Sequence, residues 1–320
     1  MKITRRQIAI LGGFTCFELS AWYVPRLFRN RIQLLGHRGD ITGIAFIEDL
    51  DMIATASADR VWRLFSTSGG SPVREISGHD GSATSIAAFP SSNSLATASS
   101  DGTIKMWSLP RGIEQWSRNA HAGRVLAINF SANGEVLASV GTDSKWRIWN
   151  PADGTLVSEH KCSHANGCLA LNPSGTEIVY NAVPNGADIV SVGTGRQRKR
   201  LSSQSGPATA ACYSSDGRQF VLGESGGRLV VYDTASWRQQ FECNGHQGKV
   251  NQIVFSRDDR MIWSASADRT VRCWDALDGS GRETVIEHRE SILCVAALLD
   301  DAVATGSTDN TAIVWSHPWR

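Results

Sequence analysis

The sequence predicts an all-β chain folded as a seven-bladed β-propeller with four-stranded antiparallel blades, preceded by a short N-terminal helix. Three observations carry this expectation. A histidine returns at His37, His79, His121, His164, His246 and His288, a spacing near 40 residues that marks a repeat architecture. Most of these histidines precede an alternating apolar run that ends near phenylalanine, as in Ile44 to Phe46, Ile86 to Phe89, Ile128 to Phe130 and Ile253 to Phe255. That alternation is the signature of a half-buried strand. A second run of small and β-branched residues then leads to Asp59, Asp101, Asp143, Asp268 or Asp309, and an aromatic follows at Phe65, Trp107, Trp149, Trp274 or Trp315.

One more short strand fits between each aromatic and the next histidine, after turn residues such as Ser68-Gly69, Asp153-Gly154 and Asp278-Gly279. This makes four strands per repeat, and a seventh histidine position falls at Ser205. Blades of this kind hide their faces only by packing on neighbours, so the ring must close. The last repeat ends at Arg320 with three strands, while Ile32 to Leu35 is a spare strand before the first Gly-His. The chain therefore divides into residues 1–30, an apolar helix, and residues 31–320, the propeller.

The totals fit this division and exclude several alternatives. At 320 residues, with 41% hydrophobic and 20% charged residues, the chain can bury a large core. Its formal net charge of +1 provides no global field that would draw it onto nucleic acid. The seven cysteines are scattered without framework spacing, which suits buried thiols on a reducing side rather than disulfides.

The order Gly-His, Ser or Thr, Asp, Trp resembles the WD-repeat β-propeller family over roughly Arg31 to Arg320. In that family one His, one Ser or Thr, one Asp and one Trp of a blade form a hydrogen-bonded tetrad. The resemblance implies structural tetrads at His79, Thr97, Asp101 and Trp107; at His121, Ser139, Asp143 and Trp149; at His246, Ser264, Asp268 and Trp274; and at His288, Thr305, Asp309 and Trp315. The first blade offers His37, Thr55 and Asp59 but ends in Phe65. Blade four departs further, with His164, Gly186 and Val192 at the expected places, and blade five has Ser205, Gly226 and Tyr232.

Because the same His and Asp recur in five blades, they are expected to be structural and not part of a catalytic triad, which needs one copy. No catalytic residues are expected. The Gly-x-Ser-x-Gly string Gly223 to Gly227 lies between two strands, whereas a nucleophile elbow requires a following helix. His160, Cys162, His164 and Cys168 crowd together, yet their spacing matches no usual zinc site, so neither a metal nor any other cofactor is expected. Arg196, Arg198, Lys199 and Arg200 read first as charges that protect an outer edge strand from unwanted pairing.

What remains is a rigid disc suited to a non-catalytic scaffold for protein partners; a propeller enzyme is an alternative, and it would need a cluster of unique polar residues at the channel mouth. In the resembled family, residues just after the His line the channel entrance on the top face. This implies Asp40, Thr42, Arg124, Leu126, Lys249, Asn251 and Leu293 as partner-binding candidates, with Ser82, Thr84 and Ser291 beside them. No nucleic-acid partner is expected, because no aromatic residues interleave with the basic ones.

Residues Gln7 to Val24 are apolar and flanked by arginines, with Trp22 and Tyr23 at the far end. A helix here would span about 27 Å, close to the roughly 30 Å hydrocarbon core. Gly12, Cys16 and Ser20 form a small-residue stripe suited to helix packing, and Glu18 is costly in lipid unless a partner receives it. These residues are candidate membrane-helix contacts and point to a membrane-associated complex that includes membrane subunits. A twin-arginine export signal, a transit peptide and a soluble cytosolic or nuclear adaptor stay open as alternatives.

Overall fold

The computed structural model describes residues 30–90, 92–162, 166–285, 288–299 and 302–316. The expected N-terminal helix, including Gly12, Cys16, Glu18 and Ser20, lies outside them. Strand β1 (Asn30–Leu34) opens the described chain. Blade one follows as β2 (Ile41–Ile47), β3 (Met52–Ser57), β4 (Val61–Ser66) and β5 (Pro72–Ser77), and blade two as β6 (Ala83–Ala88), β7 (Ser94–Ser99), β8 (Thr103–Ser108) and β9 (Ile113–Asn119). Blade three is β10 (Val125–Phe130), β11 (Leu137–Gly141), β12 (Lys145–Trp149) and β13 (Leu156–Lys161). Blade four is β14 (Leu169–Leu171), β15 (Glu177–Asn181), β16 (Ala187–Ser191) and β17 (Gln197–Leu201). Blade five is β18 (Ala208–Tyr213), β19 (Gln219–Glu224), β20 (Leu229–Asp233) and β21 (Arg238–Cys243). Blade six is β22 (Val250–Phe255), β23 (Met261–Ser266), β24 (Val271–Asp275) and β25 (Gly281–Val285), and blade seven holds β26 (Ile292–Ala297), β27 (Val303–Ser307) and β28 (Ala312–Ser316).

Seven four-stranded antiparallel sheets result, six of them in simple sequence order. The seventh runs β1-β28-β27-β26, so the first strand completes the last blade, with Asn30 opposite Ser316 and Leu34 opposite Ala312. The inner strands pack in a circle, β2 on β6 and on to β26, which returns to β2.

Strand composition follows position in the blade. Second strands are covered on both faces by neighbouring blades, and β7 is buried at every residue. Small side chains such as Ala54, Ala56, Ala96 and Ala98 let the sheets approach there. Between blades one and two, Trp62, Leu64, Leu95 and Trp107 share one apolar cluster, with the two indoles 5.6 Å apart. Fully burying a side chain such as Leu64 contributes on the order of 1.5–3 kcal/mol. Outer strands face solvent, and each blade also tucks under the next. Trp116 of β9 lies against Gly154 and donates its indole N–H to the Pro151 carbonyl at 2.9 Å. Gly154 is required there, since its φ is +69° and a Cβ would meet the Trp116 ring at 2.7 Å.

Inner strands carry a further regularity. Six of them contain a β-bulge after the first residue, between Ile41 and Gly43, Ala83 and Ser85, Val125 and Ala127, Ala208 and Ala210, Val250 and Gln252, and Ile292 and Cys294. The bulged residues are Thr42, Thr84, Leu126, Thr209, Asn251 and Leu293. A bulge leaves its extra residue out of the ladder and re-aims its side chain.

Candidate functional site: the blade tetrads and the channel mouth

In blade three His121 places Nδ1 2.8 Å from Asp143 and Nε2 2.8 Å from the Ser139 hydroxyl, which also accepts the Trp149 indole N–H at 2.9 Å. Blade six repeats this with His246, Asp268, Ser264 and Trp274, and blade seven with His288, Asp309, Thr305 and Trp315. In blade two His79 reaches Thr97 at 2.7 Å and Trp107 donates to Thr97 at 2.8 Å, but Asp101 stands 3.5 Å from the imidazole. The Thr103 hydroxyl sits between them, 2.8 Å from His79 and 2.6 Å from Asp101. The indole therefore bonds the hydroxyl and not the histidine. Blade one joins His37 to Asp59 and Thr55 with Phe65 in the aromatic place, and Arg63 donates to Asp59 at 2.8 Å. Arg147 does the same for Asp143, a contribution that the repeat pattern did not single out.

Burial lowers the pKa of His37, His79 and His121, more than the neighbouring aspartates raise it. A neutral imidazole then donates from Nδ1 towards the carboxylate or the intervening threonine, and accepts the Ser or Thr proton at Nε2. Burial would raise the aspartates, but the bonds they accept outweigh it. His37 and Arg63 hold Asp59 at about 2, the Thr103 hydroxyl and N–H hold Asp101 at about 2, and Arg147 and His121 hold Asp143 at about 2. Every tetrad polar atom has a partner inside its own blade, which leaves no activated nucleophile.

Blades four and five are registered differently from the sequence expectation. Ile178 pairs with Val190 as Leu137 pairs with Trp149, so Val190 and not Val192 takes the aromatic place. Tyr180 then stands where Ser139 stands, and Pro184, rather than Gly186, occupies the aspartate position. Cys162 lies as far before Tyr180 as His121 before Ser139, and its N–H bonds the Ser144 carbonyl as that of His121 bonds Gly102. The histidine position of blade four is thus a buried cysteine, and His164 lies outside the described residues. In blade five Gln204, not Ser205, holds the histidine position. The Ser205 N–H instead meets the fully buried Glu224 at 2.7 Å, and Arg228 bridges Glu224 and Glu242.

The remaining motifs resolve simply. Gly223 to Gly227 joins β19 to β20, a strand-to-strand turn. His160 stacks on Trp146 with centroids 4.2 Å apart. Burial raises the Cys162 thiol to about 11 and the Cys168 thiol to about 12. Among the described residues no group of three or more His, Cys, Asp or Glu is arranged to hold a metal ion. Arg198, Lys199 and Arg200 ride on β17, where Arg198 meets Glu177 at 2.5 Å and Arg200 lies 3.7 Å from Asp188. Arg196 sits in the turn just before it.

Of the partner-binding candidates, Thr42, Arg124, Leu126, Lys249, Asn251 and Leu293 help to line the central channel, a cavity of about 570 Å³, whereas Asp40 does not. Several of them already have work within the ring. Thr42 donates to the Ala83 carbonyl, Thr84 to Val125 and Thr209 to Val250, each at 2.7 Å, and Asn251 donates to Ile292 at 2.8 Å. In blade four Asn166 supplies the equivalent bond, to Ala208 at 2.7 Å. Each of these five blades is therefore laced to the next around the channel. Leu126 and Leu293 interrupt the lacing, although the Cys294 thiol lies 3.5 Å from the Ile41 carbonyl at the second gap. Ser82 bonds the Ala58 carbonyl at 3.1 Å, and Ser291 accepts from Asn251 at 3.3 Å.

Repeated four-stranded blades, closed by their first strand and pinned by His, Ser or Thr, Asp and Trp, define a β-propeller built of tetrad-bearing repeats. The chain belongs to the WD-repeat family: the model "WD domain, G-beta repeat" matches residues 29–66, 70–108, 113–150, 237–275 and 281–316. The long stretch it leaves unmatched, 151–236, holds blade four and the first three strands of blade five. Among curated proteins the chain is similar to "SIR4-interacting protein SIF2" of Saccharomyces cerevisiae, 27% identical over 45% of this chain and 30% of that one. It is also similar to "COMPASS component SWD3" of the same organism, 25% identical over 44% of this chain and 45% of that one. "Chromatin assembly factor 1 subunit FAS2 homolog" of Oryza sativa subsp. japonica is 26% identical over 39% of this chain and 26% of its own length. The chain thus spans less than half the length of these relatives. Among the described residues no helix is long and apolar enough to cross a membrane.

Proposed function

We propose that the protein is a non-catalytic scaffold that holds protein partners within a multiprotein complex. The observation that carries this reading is the fivefold repetition of His–Asp pairs whose polar atoms are all engaged within their blades. Such a frame offers display and no chemistry, and loops on a rigid scaffold are where binding residues concentrate. The relatives support it by name, as an interacting protein, a complex component and an assembly-factor subunit. Within this reading Asp40, Thr42, Arg124, Leu126, Lys249, Asn251 and Leu293 form the partner-facing mouth. Affinity purification of the tagged full chain with mass spectrometry tests it. A defined set of co-purifying proteins is expected, and recovery of the chain alone from native extract would remove the scaffold reading.

The relative whose name refers to chromatin favours the soluble adaptor, cytosolic or nuclear, as the setting. Attachment to a membrane through residues 7–24 is a second reading, resting on the apolar stretch between its flanking arginines. Carbonate extraction decides between them: a chain recovered wholly in the soluble fraction removes the membrane reading.

A further inference from the structure

Cations near the tetrads are matched by carboxylates. Arg63 meets Asp59 and Glu75, Lys105 meets Glu114, Arg147 meets Asp143 and Glu159, and Arg228 meets Glu224 and Glu242. Arg272, at the matching place in blade six, lies over the Trp274 ring instead, and two cations at the channel mouth differ again. Arg124 and Lys249 are exposed, line the channel cavity and have no acidic partner among the described residues. They stand immediately before β10 and β22, three blades apart, so they face each other across the mouth.

Just below Arg124 is Leu126, and the blade after that of Lys249 contributes Leu293. These are the two bulge positions where no hydroxyl or amide laces the ring, and both side chains line the cavity. The entrance therefore presents two uncompensated positive charges above two aliphatic side chains. No described residue at the entrance is aromatic, so nothing there offers a base a stacking surface. Asp40 stands immediately before β2, as Arg124 stands before β10, and places a carboxylate on the blade-one side.

We propose that the channel mouth takes an acidic peptide segment, with carboxylates at Arg124 and Lys249 and an aliphatic side chain between them against Leu126 and Leu293. The inference rests on the scaffold reading and names the chemistry of its ligand. The salt-sensitive cations orient the segment, and the leucines supply the desolvated contact that charge alone lacks. Asp40 turns the acidic run away from blade one.

The test screens the purified full chain against an array of short random peptides. Bound sequences are expected to be enriched in Asp and Glu next to Leu, Ile, Val or Met. The double variant Arg124→Glu/Lys249→Glu should weaken them by about tenfold or more, equal to about 1.4 kcal/mol, while melting like wild type. Arg38→Glu/Arg269→Glu, which reverses exposed cations of neighbouring loops that do not line the cavity, should leave binding unchanged. Binders without acidic enrichment, no binders at all, or indifference to the double variant would overturn the proposal, as would preferential capture of poly(U). Co-purification with the double variant separates the two readings: partners that are retained leave the scaffold standing and remove this site.

Discussion

The Glu224 carboxylate receives the Ser205 N–H at 2.7 Å, the bond that Asp268 receives from Gln247 at 2.9 Å in the next blade. A residue at the end of the second strand thus replaces an aspartate that blade five lacks, since Gly226 holds that position. Glu224→Ala should destabilise the protein by about 1 to 3 kcal/mol, because a buried backbone donor is left without an acceptor. Urea unfolding measures it, and a variant indistinguishable from wild type would show the substitute bond to be idle.

Asp101→Ala should also cost about 1 to 3 kcal/mol, by leaving the Asp80 and Gly81 N–H groups and Thr103 without their acceptor. The same unfolding measurement applies. A change of a few tenths would contradict the role given to the tetrad.

The lacing of the channel predicts that Thr84→Val, which keeps the side-chain shape, costs about 1 to 3 kcal/mol by orphaning the Val125 carbonyl. Leu126→Val, at a position without such a bond, should leave this hydrogen-bond energy untouched. Comparison of the two by thermal melting is the check; equal losses would deny the lacing any part in stability.

Acid should weaken the fold in two stages. His37, His79 and His121 have folded pKa values below 6.5, so their contribution is complete above that value and is lost as the pH falls from it through the folded value. Asp59, Asp101 and Asp143 sit at about 2 in the fold, against about 3.9 unfolded. Their contribution is complete above that unfolded value and is lost as the pH falls through the folded one. Urea midpoints should therefore drop between pH 7 and 5 and again below 4. A midpoint that stayed level down to pH 3 would refute both assignments.

Hydrogen exchange should find blade four opening before blade two. Its inner strand β14 has three residues against six in β6, it lacks a tetrad, and Leu126 offers it no hydrogen bond at the bulge, although the Leu171 N–H still reaches Asn129 at 2.9 Å. Slower exchange in β15 than in β7 would reverse this order.

The sequence made five blades legible because a tetrad fixes the distance between strands as well as their identity. The bonded pair stands 18 residues apart in four blades and 17 apart in blade seven, so the bond confines the segment between them to a narrow range of lengths. In blade four that constraint is gone. The eye goes to His164 because it is a histidine, yet the backbone puts Cys162 in its place and moves the aromatic position to Val190. Glu224 was unreadable for a similar reason, since its meaning depends on Ser205 returning beside it. The channel lacing was hidden because a bulge decides whether Thr42 faces the cavity or the ladder, and nothing in an Ile-Thr-Gly string announces a bulge.

The pairing of Asn30–Leu34 with Ala312–Ser316 sets the timetable of the molecule's birth. During translation β1 must wait for β28, which is made only after the six intervening blades. Contacts this distant along the chain form late and slowly. The nascent propeller accordingly carries an unpaired edge throughout its synthesis, and only a chain that has been read to its final repeat can cover it. A product cut short before β28 would be left with β1 as a bare strand.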